Sequence, residues 1–300
     1  MRDERDPADI GPELVRDERG LALVGAGMEL RVDFAEMLPR VRQDRLGHEL
    51  LVRAARVKGV EHPVAWDATA GLGEDSFLLA AAGFEVELYE RDATMATLLR
   101  DGLERAAAEP ELAKITCRMH LHETDSIAAL EQLAASSDSA AGATPPSRRE
   151  VDAPAWKTGA VPTLPKEVVA PMPQGKAGSD SAASMESQVA STEPIEHEGQ
   201  LAAGAEPPAA ASAVRPDVIY LDPMFPARSK SAAVKKKAQL MQMLEEPCSD
   251  EEACALVRAA LAARPRKVVV KRPLKGPHLA SIKPAYSVEG RSVRFDVLVV

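Results

Sequence analysis

Apolar positions along this chain fall into two recurring patterns. Short continuous runs end at an acid, a glycine or a proline, and longer stretches repeat at three- and four-residue intervals. The short runs are Val64-Ala65-Trp66 before Asp67, Val218 to Leu221 before Asp222, and Val268-Val269-Val270 before Lys271-Arg272-Pro273; Glu85 to Glu90 and Lys114 to Leu121, of mixed polarity, read as two further strands. Uninterrupted apolar runs of this length predict strands buried on both faces of a parallel sheet. Helical spacing marks Leu46–Val57, Ser76–Ala82, Asp92–Ala108, Ile127–Ala135, a stretch running through Leu244, and Ser249–Ala263. Strand and helix thus alternate, which predicts a doubly wound α/β sheet. Tyr286–Glu289 and Val293–Val300 around Gly290 predict an antiparallel closing hairpin. Leu21–Val24 and Met28–Phe34 around Gly25-Ala26-Gly27 predict another near the start. Residues 1 to 20 show no period and read as a frayed lead-in.

The pattern stops at about residue 136 and resumes at about 215. Between them Ala, Ser, Pro, Gly, Thr and Glu dominate, and Trp156 is the only aromatic. Such a segment buries too little apolar surface to offset the entropy of ordering. It is expected to be a disordered insertion at 136–214. Loop-closure entropy grows slowly with length, so a fold tolerates one. The expected organisation is an N-terminal hairpin and helix over 1–60, two halves of one domain at 61–135 and 215–300, and the insertion between them.

Charge is distributed unevenly. The formal net charge is -9, but residues 1–135 carry -11, residues 136–214 carry -5 and residues 215–300 carry +7. The last third could therefore meet a polyanion despite the acidic total. No apolar run is long enough to span a membrane, and Met1-Arg2-Asp3-Glu4-Arg5-Asp6 lacks the apolar core of a secretory signal. The three cysteines, Cys117, Cys248 and Cys254, are too few for a disulfide framework. A cytoplasmic setting is expected. Cys117, His120 and His122 have no further ligand pair nearby, so no metal is expected.

The first chemistry-bearing stretch is Asp67-Ala68-Thr69-Ala70-Gly71-Leu72-Gly73-Glu74-Asp75. It reads as strand, glycine turn and helix. Asp67 closes the strand, while Gly71 and Gly73 let the backbone turn tightly beside a ligand. The next strand ends in Glu90, where an acid typically grips ribose hydroxyls. A dinucleotide would set its pyrophosphate at the following helix N-terminus, but that helix begins with two carboxylates, Glu74 and Asp75. S-adenosylmethionine (SAM) carries a sulfonium and an ammonium and no phosphate, so acids favour it. The same two acids also suit the helix dipole. Asp125 and Ser126 follow the third strand, where they suit adenine contacts or an ordinary helix cap.

The second stretch is Tyr220-Leu221-Asp222-Pro223-Met224-Phe225-Pro226. The strand must end at Asp222, because Pro223 offers no N–H and restricts the residue before it. An exocyclic amine is a poor nucleophile because its lone pair is delocalised into the ring. Acceptors that hold its hydrogens free that lone pair. Asp222 and the Pro223 carbonyl supply two, and Phe225 supplies a face on which an extruded base stacks. Methyl transfer then needs mainly positioning. The bland alternative is a proline-rich turn with Phe225 in the core. Arg228, Lys230, Lys235, Lys236, Lys271 and Arg272 are candidate phosphate contacts.

These two stretches, with Tyr89-Glu90-Arg91, Lys230-Ser231-Ala232-Ala233-Val234-Lys235-Lys236, Val268 to Pro273 and Arg294-Phe295-Asp296, closely resemble the ribosomal small subunit methyltransferase J family. The resemblance covers about 28–130 and 215–300. It implies a Rossmann-like, SAM-dependent methyltransferase fold, and methylation of the exocyclic amine (N2) of a guanosine in 16S ribosomal RNA or the small ribosomal subunit. It implies SAM contacts at Glu74, Asp75, Glu90, Arg91, Asp125, Ser126 and Asp222. The chain departs from the family pattern at Glu74, where an arginine is common, and at 125–126, where paired serines are common. Two other readings use the same residues: a methyltransferase acting on another nucleic-acid or protein amine, and a non-catalytic RNA-binding protein on the same fold.

Overall fold

The structure is a computed structural model, and it describes residues 11–25, 27–139, 215–223 and 248–300. The expected insertion from residue 140 onward and the helix running through Leu244 lie outside the described residues. So do Phe225, Arg228, Lys230, Lys235 and Lys236.

A seven-stranded sheet carries the fold. Its strands are β4 (Val64–Asp67), β5 (Glu85–Tyr89), β6 (Met119–His122), β7 (Val218–Leu221), β8 (Lys267–Pro273), β9 (Tyr286–Glu289) and β10 (Val293–Val299). The order is β6-β5-β4-β7-β8-β10-β9. The first five of these neighbours are parallel, and β10 runs antiparallel to both β8 and β9. The chain moves outward from β4 to β5 and β6, then returns to place β7 on the other side of β4. That reversal opens a crevice at the carboxyl ends of β4 and β7, where open α/β sheets hold ligands.

Alternation along the strands feeds two cores. Val218 and Tyr220 join one with Leu88, Phe77, Leu98 and Phe295. Ile219 and Leu221 join the other with Trp66, Tyr89 and Leu256. Helices α4 (Glu74–Ala81), α5 (Ala93–Ala107) and α6 (Pro110–Thr116) cover the first face, and α7 (Ser126–Ser139) and α8 (Asp250–Ala262) the second. Asp92 caps α5 through the Met95 N–H, and Ser249 with Glu252 forms a capping box on α8. Among the described residues no helix is long and apolar enough to cross a membrane.

Four expectations change. Glu13–Asp17 is a strand, β1, and pairs with β2 (Gly20–Gly25), which pairs in turn with β3 (Met28–Leu30). Its five residues are all exposed, so no alternation advertised it. Asp101 of α5 anchors this small sheet by accepting the Leu21 N–H at 3.0 Å and pairing with Arg105 and Arg16. The expected helix at Leu46–Val57 is shorter: only Leu50–Ala55 is helical, as α3, and Leu46 instead ends α2 (Gln43–Leu46), which follows α1 (Leu38–Val41). Lys114 to Thr116 closes helix α6, and the third strand starts only at Met119. Residues 136–139 continue α7 and do not open the insertion. The N-terminal segment also shares the main core, with Phe34 stacked on Phe77 at 5.0 Å.

Candidate active site

A cavity of about 540 Å3 opens at the carboxyl ends of the parallel strands. Each of the five parallel strands contributes to it: Asp67 from β4, Glu90 after β5, Asp125 and Ser126 after β6, Asp222 and Pro223 after β7, and Lys271 from β8. Gly71, Glu74, Asp75 and Arg91 line it as well. Asp67, Gly71, Glu74, Asp75, Glu90, Arg91, Asp125, Ser126, Asp222 and Pro223 therefore converge on one space, although residues 136–214 intervene in sequence.

The loop after β4 is held from both neighbouring strands. Ala68 N donates to Tyr220 O and Ala70 N to Tyr89 O. The Glu90 carboxylate accepts the Gly71 N–H at 2.8 Å and the Asp92 N–H at 2.9 Å. Glu90 is 5% exposed, and burial raises its pKa although those amides oppose the rise. Each carboxylate oxygen accepts more than one hydrogen, so Glu90 can brace the loop and still receive a diol. Gly71 and Gly73 both have positive φ, 54° and 74°. Gly71 lines the cavity. Gly73 does not: a Cβ there would lie 2.8 Å from Leu99 Cδ1, so its bareness serves the core and not a ligand.

Asp67 is 1% exposed. It accepts from Ser76 Oγ at 2.5 Å and from the Thr69 N–H at 3.1 Å. Burial pushes its pKa up to about 7 against those hydrogen bonds. It supports the turn from beneath. Asp125 accepts the Ile127 N–H at 2.7 Å, so it caps α7 while lining the cavity. Arg91 pairs with Glu252 of α8 across the mouth, where both are about half exposed.

The Asp222 corner is the most connected. Its backbone N–H donates to Thr69 Oγ1 at 2.7 Å. Its side chain is 37% exposed and accepts from Lys271 Nζ at 2.8 Å. Lys271 also donates to Asp75 at 2.8 Å, and Tyr220 OH donates to Asp75 at 2.6 Å. Burial raises the Asp222 pKa, the Lys271 ammonium lowers it, and Asp75 raises it again.

Two expected RNA contacts are corrected. Lys271 spends its charge on Asp75 and Asp222, inside the cavity. Arg272 is 4% exposed and donates to Pro277 O, because strand alternation turns it to the opposite face from Lys271. Burial lowers its pKa. Sequence reasoning missed Tyr220, and it missed the Arg40–Glu49 pair, whose two hydrogen bonds of 2.9 and 2.8 Å close one wall. Those partners are nine positions apart in sequence, and no period links them.

The donor set fits a cofactor of one kind. Glu74, Asp75 and Asp222 face the space where a pyrophosphate would have to sit, which disfavours a dinucleotide. A phosphate-free cofactor with cationic groups and a ribose matches those acids and Glu90.

Comparison with known proteins agrees. A family model described as SAM-dependent methyltransferase matches residues 9–140 and 191–300. The chain is 33% identical over 281 residues to a ribosomal RNA small subunit methyltransferase J of Neisseria meningitidis serogroup B, covering 94% of this chain and 80% of that one. It is 34% identical over 295 residues to a protein of the same name from Thioalkalivibrio sulfidiphilus, covering 95% and 84%. The crystal structure of a SAM-dependent methyltransferase from Neisseria gonorrhoeae matches with a TM-score of 0.57 and 27% identity, covering 97% of this chain and 84% of that one.

Proposed function

This chain belongs to the ribosomal RNA small subunit methyltransferase J family of SAM-dependent methyltransferases, and from that premise we propose that it methylates the exocyclic N2 amine of a guanosine in small-subunit ribosomal RNA. The observation that carries the reading is the convergence of Asp222 and Pro223 with Glu90, Gly71 and Asp75 on one cavity.

SAM, when bound, supplies an electrophilic methyl group. Glu90 holds the ribose hydroxyls, Glu74, Asp75 and Arg91 flank the amino-acid end, and Asp125 and Ser126 meet the adenine. Asp222 Oδ1 and the Pro223 carbonyl accept the hydrogens of the guanine amine. That turns the nitrogen lone pair toward the reacting carbon. Phe225 stacks the extruded base, and Arg228, Lys230, Lys235 and Lys236 meet phosphates. The nitrogen's new bond to the methyl carbon would be balanced by loss of that carbon's bond to sulfur, whose electron pair would stay on a neutral thioether, and the nitrogen sheds one proton to the Asp222 carboxylate. A raised pKa suits that acceptor role. The setting is cytoplasmic, where small subunits are assembled.

Incubating the protein with methyl-labelled SAM and small subunits that lack the modification tests the reading. Label should enter the RNA. Absence of label in RNA, with SAM binding intact, would overturn it.

A further inference from the structure

Lys271 Nζ lies 2.8 Å from Asp75 Oδ2 and 2.8 Å from Asp222 Oδ2. Asp222 is held a second time through its backbone N–H on Thr69. Its Oδ1 receives no hydrogen bond from the described residues. We propose that Lys271 is a positioning residue for methyl transfer, clamping Asp222 by Oδ2 so that Oδ1 stays ionised and available to the substrate amine. This deepens the methyl-transfer reading above and rests on it.

The electrostatics around Asp222 make such a clamp necessary. Asp75 of α4 and Lys271 of β8 meet at Asp222, and the charges of Asp67 on β4 and of Arg272, on the other face of β8, act on it from further off, as does the neighbouring Tyr220 of β7. Glu74 and Glu90 line the same cavity. Burial and Asp75 both favour a protonated Asp222, and Lys271 is the group that works against them at contact distance. Without the ammonium, Asp222 is left beside the Asp75 carboxylate in a partly dry cavity, and both influences push Asp222 toward its protonated form. A protonated Asp222 can donate where the chemistry needs an acceptor. The Lys271 carbon chain also reaches across from β8, so the clamp ties the last parallel strand to α4 and β7.

The test uses the full-length protein, with Lys271→Met, Lys271→Gln and Lys271→Arg. Carbon-13 NMR of carboxyl-labelled aspartate, with Asp222→Asn to assign the signal, reads the titration of Asp222 without any turnover. The clamp predicts that this titration moves up by about one to three pH units in the Met and Gln variants, and little in the Arg variant. The acid limb of the kcat profile should move by the same amount, about tenfold lost per unit below it. KM for SAM should stay nearly constant. An unmoved titration overturns the proposal. So does tighter SAM binding in Lys271→Met, which would make the ammonium a competitor of the cofactor. A wild-type enzyme that labels no ribosomal RNA would instead refute the substrate reading, while the titration still judges the clamp.

Discussion

The Glu90 carboxylate accepts the Gly71 N–H at 2.8 Å, so the acid ending one strand and the loop leaving its neighbour form a single unit. Glu90→Ala removes the brace and the group assigned to the ribose together. A hydrogen bond to a charged group contributes about 1.5–3 kcal/mol, so the Kd for SAM should weaken roughly tenfold to a hundredfold. Glu90→Gln keeps one acceptor oxygen and should lose less. Calorimetry reads both; equal affinity in Glu90→Ala and wild type would contradict the assignment.

Tyr220 is buried, and its hydroxyl donates to Asp75. Tyr220→Phe should cost about 1–3 kcal/mol, because Asp75 keeps Lys271 but loses one donor. Urea unfolding should show a lower midpoint with an unchanged slope. An unchanged midpoint would mean that the hydroxyl carries no net stability.

Gly73 and Gly59 share a φ of 74°, yet only Gly73 is crowded. Gly59→Ala should cost about 1 kcal/mol for the left-handed backbone alone. Gly73→Ala adds the collision with Leu99, about 1–3 kcal/mol more. Equal losses at the two positions would show that the Leu99 contact yields freely.

Asp67 titrates in the folded chain at about 7, above its ordinary value of 3.8. A folded pKa raised above the unfolded one gives stability that is complete below about pH 4 and is lost as pH rises to about 7. Wild type should therefore lose stability relative to Asp67→Asn between pH 5 and pH 8. Denaturant unfolding of both proteins at the two pH values checks the sign; a gap that widens in favour of wild type at pH 8 would contradict it.

The family model passes over residues 141–190. Deleting them should leave methyl transfer within about threefold of wild type, since a shorter connection changes closure entropy only slightly. Loss of transfer with normal SAM binding would assign this segment a part in substrate recognition.

Much of the site could be read from sequence because the chain marks it twice. A buried strand followed by a glycine turn, and another stopped by Pro223, are local signals that packing has no reason to override. Strand β1 gave none, because Glu13–Asp17 is exposed throughout and is fixed by Asp101, far along the chain. Helix α6 did carry a signal in Pro110 at its first position, which could have separated it from the strand at Met119. Lys271 and Arg272 show a different gap. Composition gave their charge, but the period of two along β8 sends them to opposite faces, so both could not meet the same phosphates. Tyr220 looked like one more apolar strand residue, and only the fold shows its hydroxyl reaching Asp75.

In the proposed reaction Asp222 directs methylation of a guanine amine in small-subunit RNA. The most direct measurement digests that RNA to nucleosides after reaction and identifies the methylated one by mass spectrometry, with wild type and Asp222→Ala in parallel. Wild type should give N2-methylguanosine, and Asp222→Ala should lose at least about a hundredfold, on the order of removing a positioned transition-state contact. Methyl label in a different nucleoside, or undiminished N2-methylguanosine with Asp222→Ala, would contradict that reaction.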